Sequence, residues 1–356
     1  MIYALSIDWL AFHCQSESGV IDESVERYVY ERAPHGTRQY KELITCRLGE
    51  EDFAEVQQVP CSSVLRERTL IVKFCNRFLY HVNLWHLVDE FMQLHKLRIL
   101  NLSRVDLCAD FNTFYNGLHP ITFIKGFLSS VYRHVGRGDG SSYFNHFSRK
   151  EGKNSISSLV YTGLKFCSKK SAANVYLYNK TYELKTVHDK PHIRKLWQKV
   201  GLVSDKKTSV WRLEVSIYSK GMKFKNKETG EEVKITQSLL CQPEGVSLIY
   251  HTFVRSLFSF VRNRSGITNI TREPRIQLFN GEPCITRTTT SYGDSGDRTE
   301  KILIKQLWQM SDKYRSSEIL ADEGIAKLLS AELTRSCDLE EWFNEKSAKW
   351  SKPKRK

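Results

Sequence analysis

Along this chain the spacing of apolar residues changes period several times, and each change predicts an element. The first fourteen residues, "MIYALSIDWLAFHC", alternate like a strand, and "RTLIVKF" at 68–74 is a second β-rich run. "NLWHLVDEFMQLHKL" switches to helical spacing, with Leu84, Val88, Phe91 and Met92 on one stripe behind an Asn83 cap. "ILNLSRVDLCADFN" returns to strand alternation. A second helix is predicted with Ile124, Phe127, Leu128, Val131 and Val135 on one stripe, broken by "GRGDGSS".

The second half repeats the pattern. "SLVYTGLKFCS" and "NVYLYNKTYEL" read as strands joined by the basic turn "SKKSAA", and "HIRKLWQKV" as a lysine-rich helical stretch. "SVWRLEVSIYS" is another strand, and "KFKNKETGEEVKI" a hairpin around Thr229-Gly230. From Val246 to Val261 a helical face carries Ile249, Phe253, Leu257 and Phe260 or Val261.

Residues 264–300, rich in Ser, Thr, Gly and Arg, form the candidate boundary. Beyond them the pattern is helical ("ILIKQLWQM", "EGIAKLLSAEL", "LEEWFNEK") up to the basic tail "KWSKPKRK", which reads as disordered. The expectation is an α+β fold with a mixed or antiparallel sheet and helices packed on one side. Two βαβ-like halves would make up residues 1–263, with a 264–300 linker and a helical C-terminal region at 301–356.

Composition changes this picture in one respect. Hydrophobic content of 40% with 26% charged residues is ordinary for a globular protein, but 54 Lys+Arg against 40 Asp+Glu leaves a formal +14. That excess favours an anionic partner, nucleic acid first and an acidic membrane second. The nine cysteines are an odd number without a Cys-x-x-Cys pair, which argues against a disulfide framework or a four-cysteine zinc site. With no basic leader and no apolar run of membrane length, a soluble cytoplasmic chain is expected. A Gly-rich phosphate loop and a His-hydrophobe-His metal motif are both missing, so neither ATPase chemistry nor a two-histidine metal site is expected.

Two stretches hold candidate chemistry. In "NVYLYNKTYE", Tyr176, Tyr178, Lys180 and Tyr182 would line one face of a strand. They are either the half-buried outer face of a sheet or a nucleophile with electrostatic support. In "SRVDLCADFN", Arg104, Asp106, Cys108 and Asp110 share a face. Asp106 and Asp110 lie about 13 Å apart along a regular strand, so both cannot bind one ion. "WRLEVS" repeats the Arg-x-acid spacing with Arg212 and Glu214. Each such pair is either an ion pair on a wet sheet face or part of a carboxylate site for Mg²⁺ or Mn²⁺. Lys169, Lys170, Lys185, Arg194, Lys195 and Lys199, with Lys206 and Lys207, cluster around these strands as candidate phosphate contacts.

In this order the pieces resemble the replication-initiation-factor family, the rolling-circle initiators of pT181-type plasmids with relatives in phages and integrative elements. The matching segments are the opening "SIDWLAFHC", "RVDLCAD", the turn "SKKS", "YLYNKTYE" and "RLE", spread over roughly residues 1–260. Cys167 stands where the family has a Gly before the turn, and Tyr176 where it has an Arg.

The resemblance implies a metal-dependent nicking-closing enzyme that opens one strand of origin DNA and stays attached as a 5′-phosphotyrosine. Tyr178 would be the nucleophile, Lys180 its neighbour and Tyr176 a second candidate, with Asp106, Asp110 and Glu214 as metal carboxylates. It further implies double-stranded origin DNA and single-stranded DNA as partners, a host helicase and a homodimer. The alternatives are a DNA-binding regulator of the same fold without the chemistry, or a metal-dependent nuclease that uses water.

Overall fold

The computed structural model describes residues 2–61, 68–135, 144–151, 158–166, 171–187, 189–205, 208–226, 232–264, 269–279 and 285–287. The "GRGDGSS" break, Lys169 and Lys170 of the basic turn, Lys206, Lys207 and the whole of 301–356 lie outside these residues.

The long opening alternation forms β1 (Tyr3–Gln15), followed by a meander of β2 (Val29–Arg32), β3 (Tyr40–Leu48), β4 (Glu51–Pro60) and β5 (Thr69–Phe74). The link from β3 to β4 is the two-residue turn Gly49–Glu50, where Gly49 takes φ +65°, a value glycine reaches without strain. α1 (Leu84–Leu94) follows the predicted stripe and buries Leu84, Leu87, Val88, Phe91 and Met92. β6 (Arg98–Phe111) then runs antiparallel to β1.

α2 (Pro120–Leu128) is shorter than its sequence stripe suggests. It stops at Ser129, Ser130 adopts φ +61°, and Val131 is half-exposed ahead of β7 (Tyr132–His134). Gly126 explains the tight reversal, because a Cβ there would sit 2.5 Å from the ring of Tyr132.

β8 (Phe144–Glu151), β9 (Ser158–Phe166) and β10 (Ala173–Asn179) continue the sheet, and α3 (Lys180–Thr186) and α4 (Pro191–Val200) lead to β11 (Trp211–Tyr218). The predicted hairpin is β12 (Lys223–Asn226) with β13 (Glu232–Lys234). α5 (Gln237–Leu240), α6 (Pro243–Leu257), β14 (Phe260–Arg262) and β15 (Ile285–Arg287) complete the described elements.

Ten strands form one sheet in the order β2-β3-β4-β5-β1-β6-β11-β10-β9-β8, and every ladder within it is antiparallel. Because β5 and β6 both run antiparallel to β1 between them, they share a direction. β5-α1-β6 is therefore one split βαβ unit. The fold is α+β.

The face bearing Leu10, Val105, Leu107, Ala109, Val175, Leu213 and Val215 packs against α1, α2 and α6 in the main core. Helices do not keep to that side alone. Ala4, Leu184, Ile193, Trp197, Leu202 and Val210 form a second, smaller core. Ala4 lies opposite Asp110, so α3 and α4 cover one end of the other face. Leu278 and Phe279, beyond the predicted boundary at 263, are buried in the main core.

Candidate active site

Four central strands align a polar row against each other. Tyr178 lies opposite Arg212, Arg212 opposite Asp110 and Asp110 opposite Ala4. One step along, Tyr176 faces Glu214, which faces Cys108 and then Ser6. The next row is Asn174, Ser216, Asp106 and Trp9. The alternation of β6 and β11 therefore turns the candidate side chains to the face away from the main core.

A β-bulge in β1 changes which residues join them. The register of β1 on β6 shifts between Ile7 and Trp9, so Asp8 is the extra residue. Bulges re-aim side chains, and this one directs Asp8 into the polar face beside Trp9. Arg212 is fully buried and joins the two acidic strands. Its Nε and Nη2 donate to Asp110 at 2.6 and 2.8 Å, and its Nη1 to Asp8 at 2.5 Å.

Trp197 of α4 donates its indole N–H to Asp110 at 2.7 Å, and Tyr80 donates to Asp8 at 2.7 Å. Asn76 donates to the same Asp8 oxygen at 3.0 Å, and His192 reaches Asn76 at 3.0 Å. Burial alone would favour the protonated acid at Asp8. Arg212, Lys180 and the Tyr80 hydroxyl outweigh it and hold the carboxyl far below its usual range.

The tyrosine row divides at Asn179. Tyr176 and Tyr178 share a strand face with ring centroids 4.5 Å apart, but Lys180 and Tyr182 do not continue it. Asn179 ends β10 and accepts the backbone N–H of Tyr182 at 2.9 Å, so it caps α3 and Lys180 becomes a helical residue. The turn nevertheless returns the ammonium of Lys180 to the phenol. Its Nζ lies 3.4 Å from the Tyr178 oxygen and 5.4 Å from the ring centroid, and it is paired at 2.5 Å with Glu183.

The Tyr178 hydroxyl donates to Glu214 Oε2 at 2.9 Å. Burial, with Asp106 and Asp8 nearby, pushes the Glu214 carboxyl up to about 7. Burial and the Glu214 charge raise Tyr178 well above an ordinary phenol and push Tyr176 up to about 12. Room for both rings comes from Gly163, which faces Tyr178 on β9. A Cβ there would stand 2.9 Å from Tyr178 Cβ and 3.1 Å from the Tyr176 ring.

The expected carboxylate set for a divalent ion does not converge. Both oxygens of Asp110 are taken by Arg212 and Trp197. Asp106 forms a two-bond pair with Arg104 at 2.9 and 2.6 Å, and Glu214 accepts the phenol. Among the described residues, no group of three His, Cys, Asp or Glu side chains is placed to hold an ion. In this arrangement the set does not fit a metal. The expected ion pair within an Arg-x-acid motif forms at Arg104–Asp106. It does not form at the second motif, where Arg212 pairs with Asp110 and Asp8 and Glu214 accepts the phenol, and the face is buried rather than wet.

Of the expected DNA contacts, Lys185, Lys195 and Lys199 are exposed on α3 and α4. Arg194 is half-buried and paired with Asp189 at 2.8 Å. Lys169 and Lys170 are outside the described residues. Sequence reasoning missed Asp8, Asn76, Tyr80, His192 and Trp197. Only Asp8 had a local signal, as the lone acid of β1.

No helix among the described residues is long and apolar enough to cross a membrane. No protein-family model matches the chain, and no curated protein matches it. Among solved structures the chain is similar to that of a rolling circle replication initiator protein from Geobacillus stearothermophilus, with 12% identity and a TM-score of 0.44, over 78% of this chain and 93% of that one.

Proposed function

We propose that this chain initiates replication of a mobile element by nicking one DNA strand through Tyr178. The observation that supports this reading best is the environment of one phenol oxygen. It donates to a carboxylate that titrates near neutrality and accepts from a buried ammonium.

A phenol of ordinary acidity is a poor nucleophile near neutral pH, and an adjacent base and cation are the usual remedy. In the proposed step the Tyr178 oxygen attacks the scissile phosphorus while its proton passes to Glu214. The new bond is P–O(Tyr178). The bond broken is P–O3′, and the departing oxygen takes up a proton to leave a free 3′-hydroxyl. Lys180 stabilises charge on the phenol oxygen during attack and again when the reverse reaction rejoins the strand. Tyr176 supports the ring of Tyr178, and Lys185, Lys195 and Lys199 are proposed to hold phosphates beside it.

The divalent ion implied by the resemblance has no ready ligand set here, and no step above depends on it. A host helicase and a second copy of the chain are proposed on the resemblance alone. One observation favours a second reading, a DNA-binding protein without the chemistry: Tyr178 is only 9% exposed.

Trapping a covalent adduct separates the two. The protein is incubated with labelled single-stranded and supercoiled DNA of its own element, with Mg²⁺, with Mn²⁺ and with chelator. The products are denatured and the modified peptide is mapped by mass spectrometry. An adduct on Tyr178 that is lost in Tyr178→Phe supports nicking. Cleavage without an adduct points to a water-using nuclease, and binding alone to the second reading.

A further inference from the structure

On the face of the sheet opposite Tyr178, arginines from separate stretches of chain converge behind β9 and β10. The position follows from Phe166 of β9, which lies opposite Val175 on the main-core face. Phe258, Phe260 and His134 pack on that ring at 5.4, 5.5 and 5.0 Å. β14 pairs with β7, which sets Arg133 opposite Val261, and a β-bridge sets Arg275 opposite Val261 from the other side. Arg133 and Arg275 are therefore held two strand spacings apart, about 10 Å. Arg255 in the last turn of α6 lines one groove with Arg275, whereas Arg262 alternates with Val261 and turns to the other face of β14. Arg264 beyond it and Arg272 of a short 3-10 turn flank the patch in sequence. All six are exposed.

The charge is one-sided. From Arg255 to Phe279 the chain has five arginines and one glutamate, with no lysine and no aspartate. Arg255, Ser259, Arg275 and Gln277 also line a groove of about 330 Å³ floored by Phe258 and Leu278. Planar guanidinium forks suit phosphate oxygens better than ammonium groups do. Aromatic faces open to a base are small here. Phe123 and Phe260 are in the core, Phe258 and Phe279 line the groove but are 3% and 8% exposed, and half-buried Tyr132 has one face stacked on Phe123. Single-strand sites combine cations with accessible aromatic faces, whereas a patch of cations alone reads phosphate backbone.

We propose that this arginine patch is a second nucleic-acid surface, which grips the backbone of duplex DNA on the side of the sheet away from the tyrosines. It stands whether or not Tyr178 forms an adduct.

The test compares the full chain with an Arg133→Gln/Arg255→Gln/Arg275→Gln variant. Fluorescence anisotropy follows binding to a labelled duplex of arbitrary sequence and to oligo(dT), over a range of salt. Duplex binding is expected to weaken at least about tenfold, with the slope of log affinity against log salt falling by about 0.9 per lost contact, or about 2–3 in total. An Arg→Lys version at the same positions should recover most of that slope. Unchanged duplex affinity and slope would overturn the proposal, as would a loss confined to oligo(dT). If the glutamine variant does not fold, hydrogen exchange on the unaltered protein decides: slower exchange at 255–264 and 269–279 on adding duplex supports the surface, and none overturns it. Adduct formation measured on the same samples keeps failure of the nicking reading distinct from failure of this one.

Discussion

Tyr178 donates its phenol hydrogen to Glu214 across a diagonal of the β10–β11 ladder, since the residue directly opposite Glu214 is Tyr176. The diagonal makes Glu214 the group that receives the proton if Tyr178 attacks. Glu214→Gln keeps the shape and removes the base. Its adduct yield is expected to fall by about 10²–10⁴-fold, the range of general-base assistance. In the unaltered chain the rate should climb with pH through about 7, as Glu214 loses its proton, and this limb should vanish in the variant. A rate–pH profile from single-turnover trapping checks both.

The same carboxyl makes an opposite prediction for stability. Its folded value, about 7, lies above the ordinary 4.5, so between these the folded state holds more protons than the unfolded chain. Stability contributed by Glu214 is therefore present below pH 4.5 and lost as pH rises through about 7. Glu214→Gln removes this dependence. At pH 8 it should raise stability by up to about 3 kcal/mol, with less gain at pH 5, measured by urea denaturation at both.

How far the sequence reached is visible at individual residues. Alternation in β6 and β11 correctly turned Asp106, Asp110, Arg212 and Glu214 to one face, because strand period is local. Lys180 was misplaced because strand alternation was extended past Asn179, whose capping bond to Tyr182 starts a helix. That stop was readable, since Asn is a preferred cap residue and Glu183 puts an acid in the first turn that follows it. Asp8 was not readable as a partner of Arg212, which is 204 residues away and is reached only through a bulge set by pairing in space. Trp197 had no signal either, since an aromatic on an amphipathic helix usually packs without an acceptor.

The contacts of Asp110 predict a structural role. Asp110→Asn leaves Arg212 buried with Asp8 as its one carboxylate partner among the pairs at this site. Breaking such a pair is expected to cost about 3 kcal/mol or more. Trp197→Phe, which removes one bond to the same charge, should cost about 1.5–3 kcal/mol. Urea midpoints read these losses. If Asp110 instead served as a metal ligand, Mg²⁺ or Mn²⁺ would stabilise the unaltered protein, and the asparagine variant would lose that response with little change in metal-free stability.

Lys180 and Tyr176 should separate when the adduct is mapped. Lys180→Met keeps much of the apolar stem and removes the charge 3.4 Å from the phenol, leaving Glu183 without its cation. The adduct yield should fall at least about tenfold, the effect of losing more than about 1.4 kcal/mol of transition-state stabilisation. Tyr176→Phe keeps the ring packed at 4.5 Å and should leave most of the yield intact. An adduct that disappears with Tyr176→Phe and survives Tyr178→Phe would move the nucleophile one step along the strand.

Gly163 offers a test of the site's geometry that touches no polar group. It faces Tyr178 across β9–β10, and a methyl group there would lie 2.6 Å from the Leu177 carbonyl oxygen and 2.9 Å from Tyr178 Cβ. Neither neighbour is the free end of a flexible chain, so the ladder itself must shift. Gly163→Ala is expected to cost about 1–3 kcal/mol, the usual range for overpacking. A displacement near 1 Å at a reacting group can cost about 10²-fold in rate, so adduct formation should suffer more than folding does. Thermal unfolding and single-turnover trapping on the same sample check the two effects separately. A variant that loses stability but traps DNA at the normal rate would show that the phenol does not act from the position it holds against β9.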